Sequence, residues 1–148
     1  AETRGMARNL MPKTVEEFGL VSSVEGMIES LGDSETEIYF FNNFAEIRLN
    51  INIEVMLYRI IQEAVNNILK HAKAKYVSIQ LIDYKDSINL MIEDDGVGFE
   101  IASSKNKSGV GLLSIKNRVK SLGGTLTIDS AEGSGTTIAV EIPQNKII

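Results

Sequence analysis

The stretch Arg59 to His71, RIIQEAVNNILKH, has the periodicity of one helix with two chemically different faces. At about 3.6 residues per turn, Ile61, Val65, Ile68 and Ala72 fall on one side, and Arg59, Glu63, Asn67 and Lys70 fall roughly opposite. The apolar stripe has to be buried, so the rest of the chain must provide a surface that covers it. Glu63 and Asn67 are spaced i,i+4, which points a carboxylate and an amide the same way, one turn apart. A carboxylate can take a proton, and an amide oxygen can join the shell of a hard cation. For this helix alone, the plainer reading is an amphipathic helix with a solvated flank.

The chain has 148 residues, which suits one domain with a real core and a short appendage at one end. Its formal net charge of −5 argues against a dedicated nucleic-acid or anionic-membrane surface, so a polyanionic ligand must be gripped locally. There is no cysteine, which excludes a disulfide framework and thiolate metal sites. No apolar run approaches the ~18 residues of a membrane span, and AETRGMARNL lacks the apolar centre of a signal peptide. The expectation is a cytoplasmic piece of a longer protein, one compatible with a membrane anchor elsewhere in the parent.

Ala1 to Met11 reads as the end of a helix that Pro12 interrupts. Thr14 and Glu17 have capping-box spacing, predicting a restart at about Val15 with a break at Gly19. Leu20, Val24, Met27, Ile28 and Leu31 form a helical stripe ending at Gly32 and Asp33. Glu37 to Phe41 is a predicted strand, and Ile47, Leu49 and Ile51 alternate as a second short strand or an extended lead-in. The long helix is expected from about Ile53 to Ala72. Two hairpins follow, Tyr76–Asp83 with Ser87–Glu93 and Thr125–Asp129 with Thr136–Ile142, separated by a helix from about Leu112 to Leu122 that closes at Gly123-Gly124. Ser103 to Ser108 is a polar, low-complexity patch.

Chemistry concentrates between these elements. The strand ending at Glu93 runs into Asp94-Asp95-Gly96-Val97-Gly98-Phe99, where glycines at i and i+2 let a ligand approach the backbone. A carboxylate fixed there can accept a hydrogen bond from an exocyclic amine and so favour adenine over guanine, although DDG is also an ordinary turn. Gly109-Val110-Gly111-Leu112 opens a helix, whose N-terminal N–H groups suit phosphate. Lys105 and Lys107 just before it either supply local positive charge or simply solvate a loop. Gly133-Ser134-Gly135-Thr136-Thr137, taken alone, is a hairpin turn.

The order of these parts resembles the ATP-binding domain of sensor histidine kinases, in the GHKL superfamily with gyrase, MutL and a heat-shock chaperone. It covers about Glu54 to Pro143, and it is the conjunction of four spaced motifs that is specific. The resemblance implies an α+β fold: a two-layer α/β sandwich of the Bergerat type, with a mixed sheet and helices packed on one face. It implies ATP and Mg²⁺, with Asn67 as metal ligand and Glu63 as the acid–base residue. Lys70 and His71 would belong to the ATP site. Asp94 would bind adenine, completed by Gly96 and Gly98. Gly109, Val110, Gly111 and Leu112, with Lys105 and Lys107, would lie beside the phosphates. Thr136 or Thr137 would lie near the adenine pocket.

Few residues separate Phe99 from Gly109, and LMPKTVEEFGLVSSVEGMI lies upstream. Both features look like the kinases that pair with NarL-type response regulators. The implied division is residues 1–31 as the end of a dimerisation and phosphoacceptor region with its linker helix, and 32–148 as the ATP-binding domain. Implied partners are a histidine-bearing hairpin of the parent kinase, a NarL-type regulator and a second copy in a full-length homodimer, with no nucleic acid. His71 is the only histidine; a side chain fixed beside its own nucleotide site is poorly placed for in-line transfer, so the phosphoacceptor is expected before Ala1. Two alternatives remain open here: a nucleotide-gated binding module of the same superfamily, and an anti-sigma-type serine kinase.

Overall fold

A computed structural model describes residues 13–31, 35–44, 48–97, 115–130, 133 and 135–144 of the chain, without the side chains of residues 13, 14, 71 and 72. Its elements are α1 (Lys13–Ser30), β1 (Glu37–Asn42), α2 (Ile51–Asn67) with a π-helical turn Ile68–Ala72, β2 (Tyr76–Asp83), β3 (Ser87–Asp94), α3 (115–121), β4 (Thr125–Ser130) and β5 (Thr136–Pro143). The strands form one mixed sheet of order β1-β2-β3-β5-β4. Only β1 and β2 run parallel, a pairing that needs a long crossover, which α2 supplies. The other pairs are antiparallel, and β2–β3 and β4–β5 are the two hairpins expected from alternation.

Every second strand residue faces the helices. Val77, Ile79 and Leu81 of β2, Ile88, Leu90 and Ile92 of β3, and Ile138, Val140 and Ile142 of β5 are buried. They meet Leu57, Ile60, Ile61, Ala64, Val65 and Ile68 from the α2 side and Ile115 and Val119 of α3. Burial of each such side chain contributes about 1.5–3 kcal/mol, which outweighs the modest strand and helix propensities involved. α1 packs chiefly on α2 and adds Leu20 and Val24 to the same core. The opposite sheet face leaves Tyr39, Phe41, Tyr76 and Met91 exposed.

Several boundaries differ from the sequence reading. α1 begins at Lys13 rather than Val15, and Gly19 kinks it (φ 89°, ψ 174°) instead of ending it. α2 starts at Ile51, two residues early, because Asn50 caps it by accepting from the Asn52 N–H at 2.8 Å. Of the two readings for the preceding residues, 48–50 form the lead-in, with no strand among them. The α-helical pattern stops at Asn67 rather than Ala72; the remaining turn is π-helical and closes on Lys73 in the left-handed region (φ 52°). The expected helix before Pro12, Ile47 and the Ser103–Ser108 patch lie outside the described residues.

Candidate nucleotide-binding site

β3 ends on Asp94, which stands opposite Val77 of β2 and Thr136 of β5, so these three residues mark one end of the sheet. The C-terminal end of α2 lies at that end too, since the π turn delivers the chain directly into β2. Asn67 is the last α-helical residue before the π-helical turn Ile68–Ala72; the Ile68 N–H is still bonded within the α-helix, shared between the Ala64 and Val65 carbonyls. Here the π turn closes the helix, so the side chains that follow Asn67 leave the directions an α-helix would give them.

The two neighbouring carboxylates differ. Asp95 Oδ1 accepts from the N–H groups of Lys75 at 2.8 Å and Tyr76 at 2.9 Å, tying the start of β2 to the end of β3. The Tyr76 N–H above all, with Lys75, holds its carboxyl below the usual range. Asp94 Oδ1 accepts from the Gly96 N–H at 2.7 Å, but Oδ2 is buried and has no partner. Burial pushes the Asp94 carboxyl up, the Gly96 bond opposes this, and the charge of Asp95 adds to it. Among the described residues, the buried side-chain polar atoms without a partner are Asp94 Oδ2 and Asn67 Nδ2. A buried orphan costs about 1–3 kcal/mol, so such atoms persist where a ligand supplies the missing partner. The acceptor at Asp94 fits an exocyclic amine. The Asn67 amide, which can turn either its N or its O outward, fits a phosphate oxygen or a cation.

Thr136 is buried on the helix-covered face, and its Oγ1 lies 2.8 Å from Ser130 Oγ. Thr137 points to the other face, opposite Glu93 and Asp129. Gly96 lies beside Asp94, Glu63 is half-buried one turn before Asn67, and Lys70 is exposed on the π turn. The side chain of His71 lies outside the described residues, as do Gly98, Lys105, Lys107, Gly109, Val110, Gly111 and Leu112. No group of three His, Cys, Asp or Glu poised for a metal occurs among the described residues. A cation there would have to draw on Asn67 and on ligand oxygens.

Gly135 supports the site and was read from sequence only as part of a turn. Its φ is +76°, and a Cβ there would stand 2.3 Å from the Asp94 carbonyl oxygen. Ser130 was missed as well; its hydroxyl donates to the Gly135 carbonyl at 3.1 Å. The only sequence signal for either was position: a glycine just before a strand that pairs with the motif strand.

A sequence profile of the histidine kinase-, DNA gyrase B-, and HSP90-like ATPases matches residues 52–146. The chain is 35% identical over 138 residues to the signal transduction histidine-protein kinase/phosphatase DegS of Bacillus subtilis, covering 89% of this chain and 36% of DegS. It is 32% identical over 146 residues to the kinase/phosphatase UhpB of Salmonella typhimurium, covering 97% of this chain and 28% of UhpB. Thus it spans roughly a third of the length of such relatives. The fold is shared with the histidine kinase domain of the Erythrobacter litoralis EL346 blue-light activated kinase (TM-score 0.64, 18% identity, 84% of this chain, 59% of that one). It is also shared with the Acinetobacter baumannii kinase AdeS (TM-score 0.65, 21% identity, 86% and 64%).

Proposed function

The chain belongs to the histidine kinase-, DNA gyrase B-, and HSP90-like ATPases, and on that premise we propose that it is the ATP-binding catalytic domain of a two-component sensor histidine kinase. One observation carries the assignment of the nucleotide: the unpartnered, buried Oδ2 of Asp94, beside an exposed Asp95 whose Oδ1 already accepts two backbone N–H bonds. Asp94 accepts from the adenine amino group, with Gly96 holding the carboxylate plane and Gly98 completing the turn. Thr136, on the same sheet face, closes the pocket with Ser130. Asn67 receives Mg²⁺ and the phosphates. Lys70, His71, Lys105, Lys107 and the amides of Gly109, Val110, Gly111 and Leu112 surround the phosphate chain. Mg²⁺-ATP supplies the transferable phosphoryl group and part of the charge neutralisation for its transfer.

Glu63, one helical turn from Asn67, orients or deprotonates the incoming imidazole, which keeps proton and metal chemistry on the same rigid helix. The acceptor is a histidine on a hairpin of the parent protein. Residues 1–31 lead from that hairpin, and residues 32–148 form the catalytic domain. The parent works as a homodimer, in the cytoplasm, and passes phosphate to a NarL-type response regulator.

The test is transfer in trans. Incubated with Mg²⁺-ATP alone, the chain acquires no acid-labile phosphate; with the hairpin added, the hairpin histidine becomes phosphorylated slowly, because a bimolecular encounter replaces a tethered one. Phosphate on His71 in the isolated chain, lost in His71→Gln, would make it a self-contained kinase and overturn this reading.

A further inference from the structure

Gly19, Arg48 and Glu54 form a joint between α1 and α2. In an unbroken helix the carbonyls of Val15 and Glu16 accept from the N–H groups of residues 19 and 20, and Gly19 has left helical geometry. The Arg48 guanidinium reaches both carbonyls, with Nη2 at 3.4 Å from each. Its other contacts are with Glu54: Nε donates to Oε2 at 3.1 Å and Nη2 to Oε1 at 3.0 Å. Glu54, in the first turn of α2, is 1% exposed, and its Oε2 also accepts from the Leu49 N–H at 3.1 Å.

Both carboxylate oxygens are therefore committed to holding Arg48 and the α2 lead-in. A planar fork held in two places fixes the plane of the guanidinium, which lysine cannot reproduce. The carbonyl contacts are long, so Glu54 anchors the group and the carbonyls set its direction. A Cβ at Gly19 would stand 3.1 Å from Arg48 Nε, which puts the kink directly against the guanidinium.

We infer that Arg48 is a positioning residue for phosphoryl transfer: locked by Glu54, it sets the angle between the Lys13–Phe18 turn and the rest of α1, which packs on α2. α2 carries this joint in its first turn, with Glu63 and Asn67 near its far end. One rigid helix thereby relates the direction of the upstream chain to the ATP site. The joint stands on geometry alone; its consequence for transfer rests on the kinase reading above.

Because the chain has no cysteine, nitroxide labels can be placed singly. Labels on cysteines replacing the exposed Glu17 and Thr127 report the turn before the kink, and labels replacing Glu25 and Thr127 report the helix after it. Arg48→Lys keeps a countercharge for Glu54 but loses the fork. In it, the 17–127 distance distribution by pulsed electron paramagnetic resonance should broaden while the 25–127 distribution stays narrow. In the full-length kinase the same variant should hold the ATP Kd within about twofold and lose roughly tenfold in kcat of autophosphorylation. Gly19→Ala, strained at its positive φ, should give the same split by an independent route. Unchanged distances and transfer would overturn the joint. So would equal broadening of both pairs, or ATP affinity falling in step with transfer, since either assigns Arg48 a general structural role. Failure of the wild type to bind ATP would sink the kinase reading and leave the distance measurement to decide the joint by itself.

Discussion

Asp94 and Asp95 are adjacent in the chain and oppositely tuned: Asp95 accepts two backbone N–H bonds across the sheet, while Asp94 keeps one buried oxygen without a partner. The proposed site depends on that asymmetry, and it has consequences for stability as well as for binding.

The pH dependence of the two carboxylates should run in opposite directions. Asp94 has a raised folded-state pKa, so the folded chain binds more protons than the unfolded one between the usual carboxylate range and that higher value. Its contribution to stability therefore falls as pH rises through this window. Asp94→Asn should make the ligand-free protein at least as stable as wild type at neutral pH, with the advantage disappearing in acid. Asp95 has a lowered pKa, so its contribution is present above the usual range and is lost as pH falls through the depressed value. Asp95→Asn should thus lower Tm at neutral pH, and the deficit should shrink in acid. Thermal melts of the three proteins across pH 3–8 check both signs; parallel profiles would remove the asymmetry.

Gly135 and Gly133 provide a matched pair. Both have positive φ, but a Cβ at 133 meets nothing within 4 Å, whereas one at 135 runs into the Asp94 carbonyl. Gly133→Ala should cost about 1–3 kcal/mol, the backbone penalty alone, and leave ATP binding intact. Gly135→Ala should cost about 1–3 kcal/mol for the backbone alone, and more for the overlap, and should weaken ATP by moving Asp94. Denaturant melts with ATP titrations separate the two effects.

Asn67 and Glu63 should fail differently although they lie one turn apart. Asn67→Ala removes a buried, unpartnered Nδ2, so it should spare stability while abolishing the Mg²⁺ dependence of ATP binding. Glu63→Gln should retain ATP and metal but lose phosphorylation of a supplied hairpin. Mg²⁺ dependence kept in Asn67→Ala but lost in Glu63→Gln would exchange their roles, and dependence kept in both would remove Asn67 from the metal.

The parts legible in the sequence were those with local causes. The strands Tyr76–Asp83 and Ser87–Asp94 carry an apolar residue at every second position on either side of a short turn, and the structure places them almost as expected. The α2 start was misjudged because Ile51 continues the alternation of Ile47 and Leu49, and the Asn50 cap carries no capping-box partner. The π turn after Asn67 has no periodic signature, since it changes one ladder position and not the hydrophobic pattern. The burial of Glu54 and its ion pair with Arg48 have no signature in the helical periodicity, because they join α2 to the chain that leads into it. Likewise, the demand for glycine at 135 arises from the β3–β5 register, a non-local pairing that places it against Asp94. At the site, the motif residues could be named from order and spacing. Which of the two aspartates keeps a buried oxygen without a partner, and which of the two threonines shares its face, required the sheet.

Calorimetric titration of ATP into wild type and Asp94→Asn, with Mg²⁺ present, tests the central claim most directly. The account predicts saturable ATP binding to wild type, roughly tenfold to hundredfold weaker binding to the variant from the loss of a charge-assisted bond worth about 1.5–3 kcal/mol, and little GTP binding to either. Equal ATP affinity in the two proteins would contradict it.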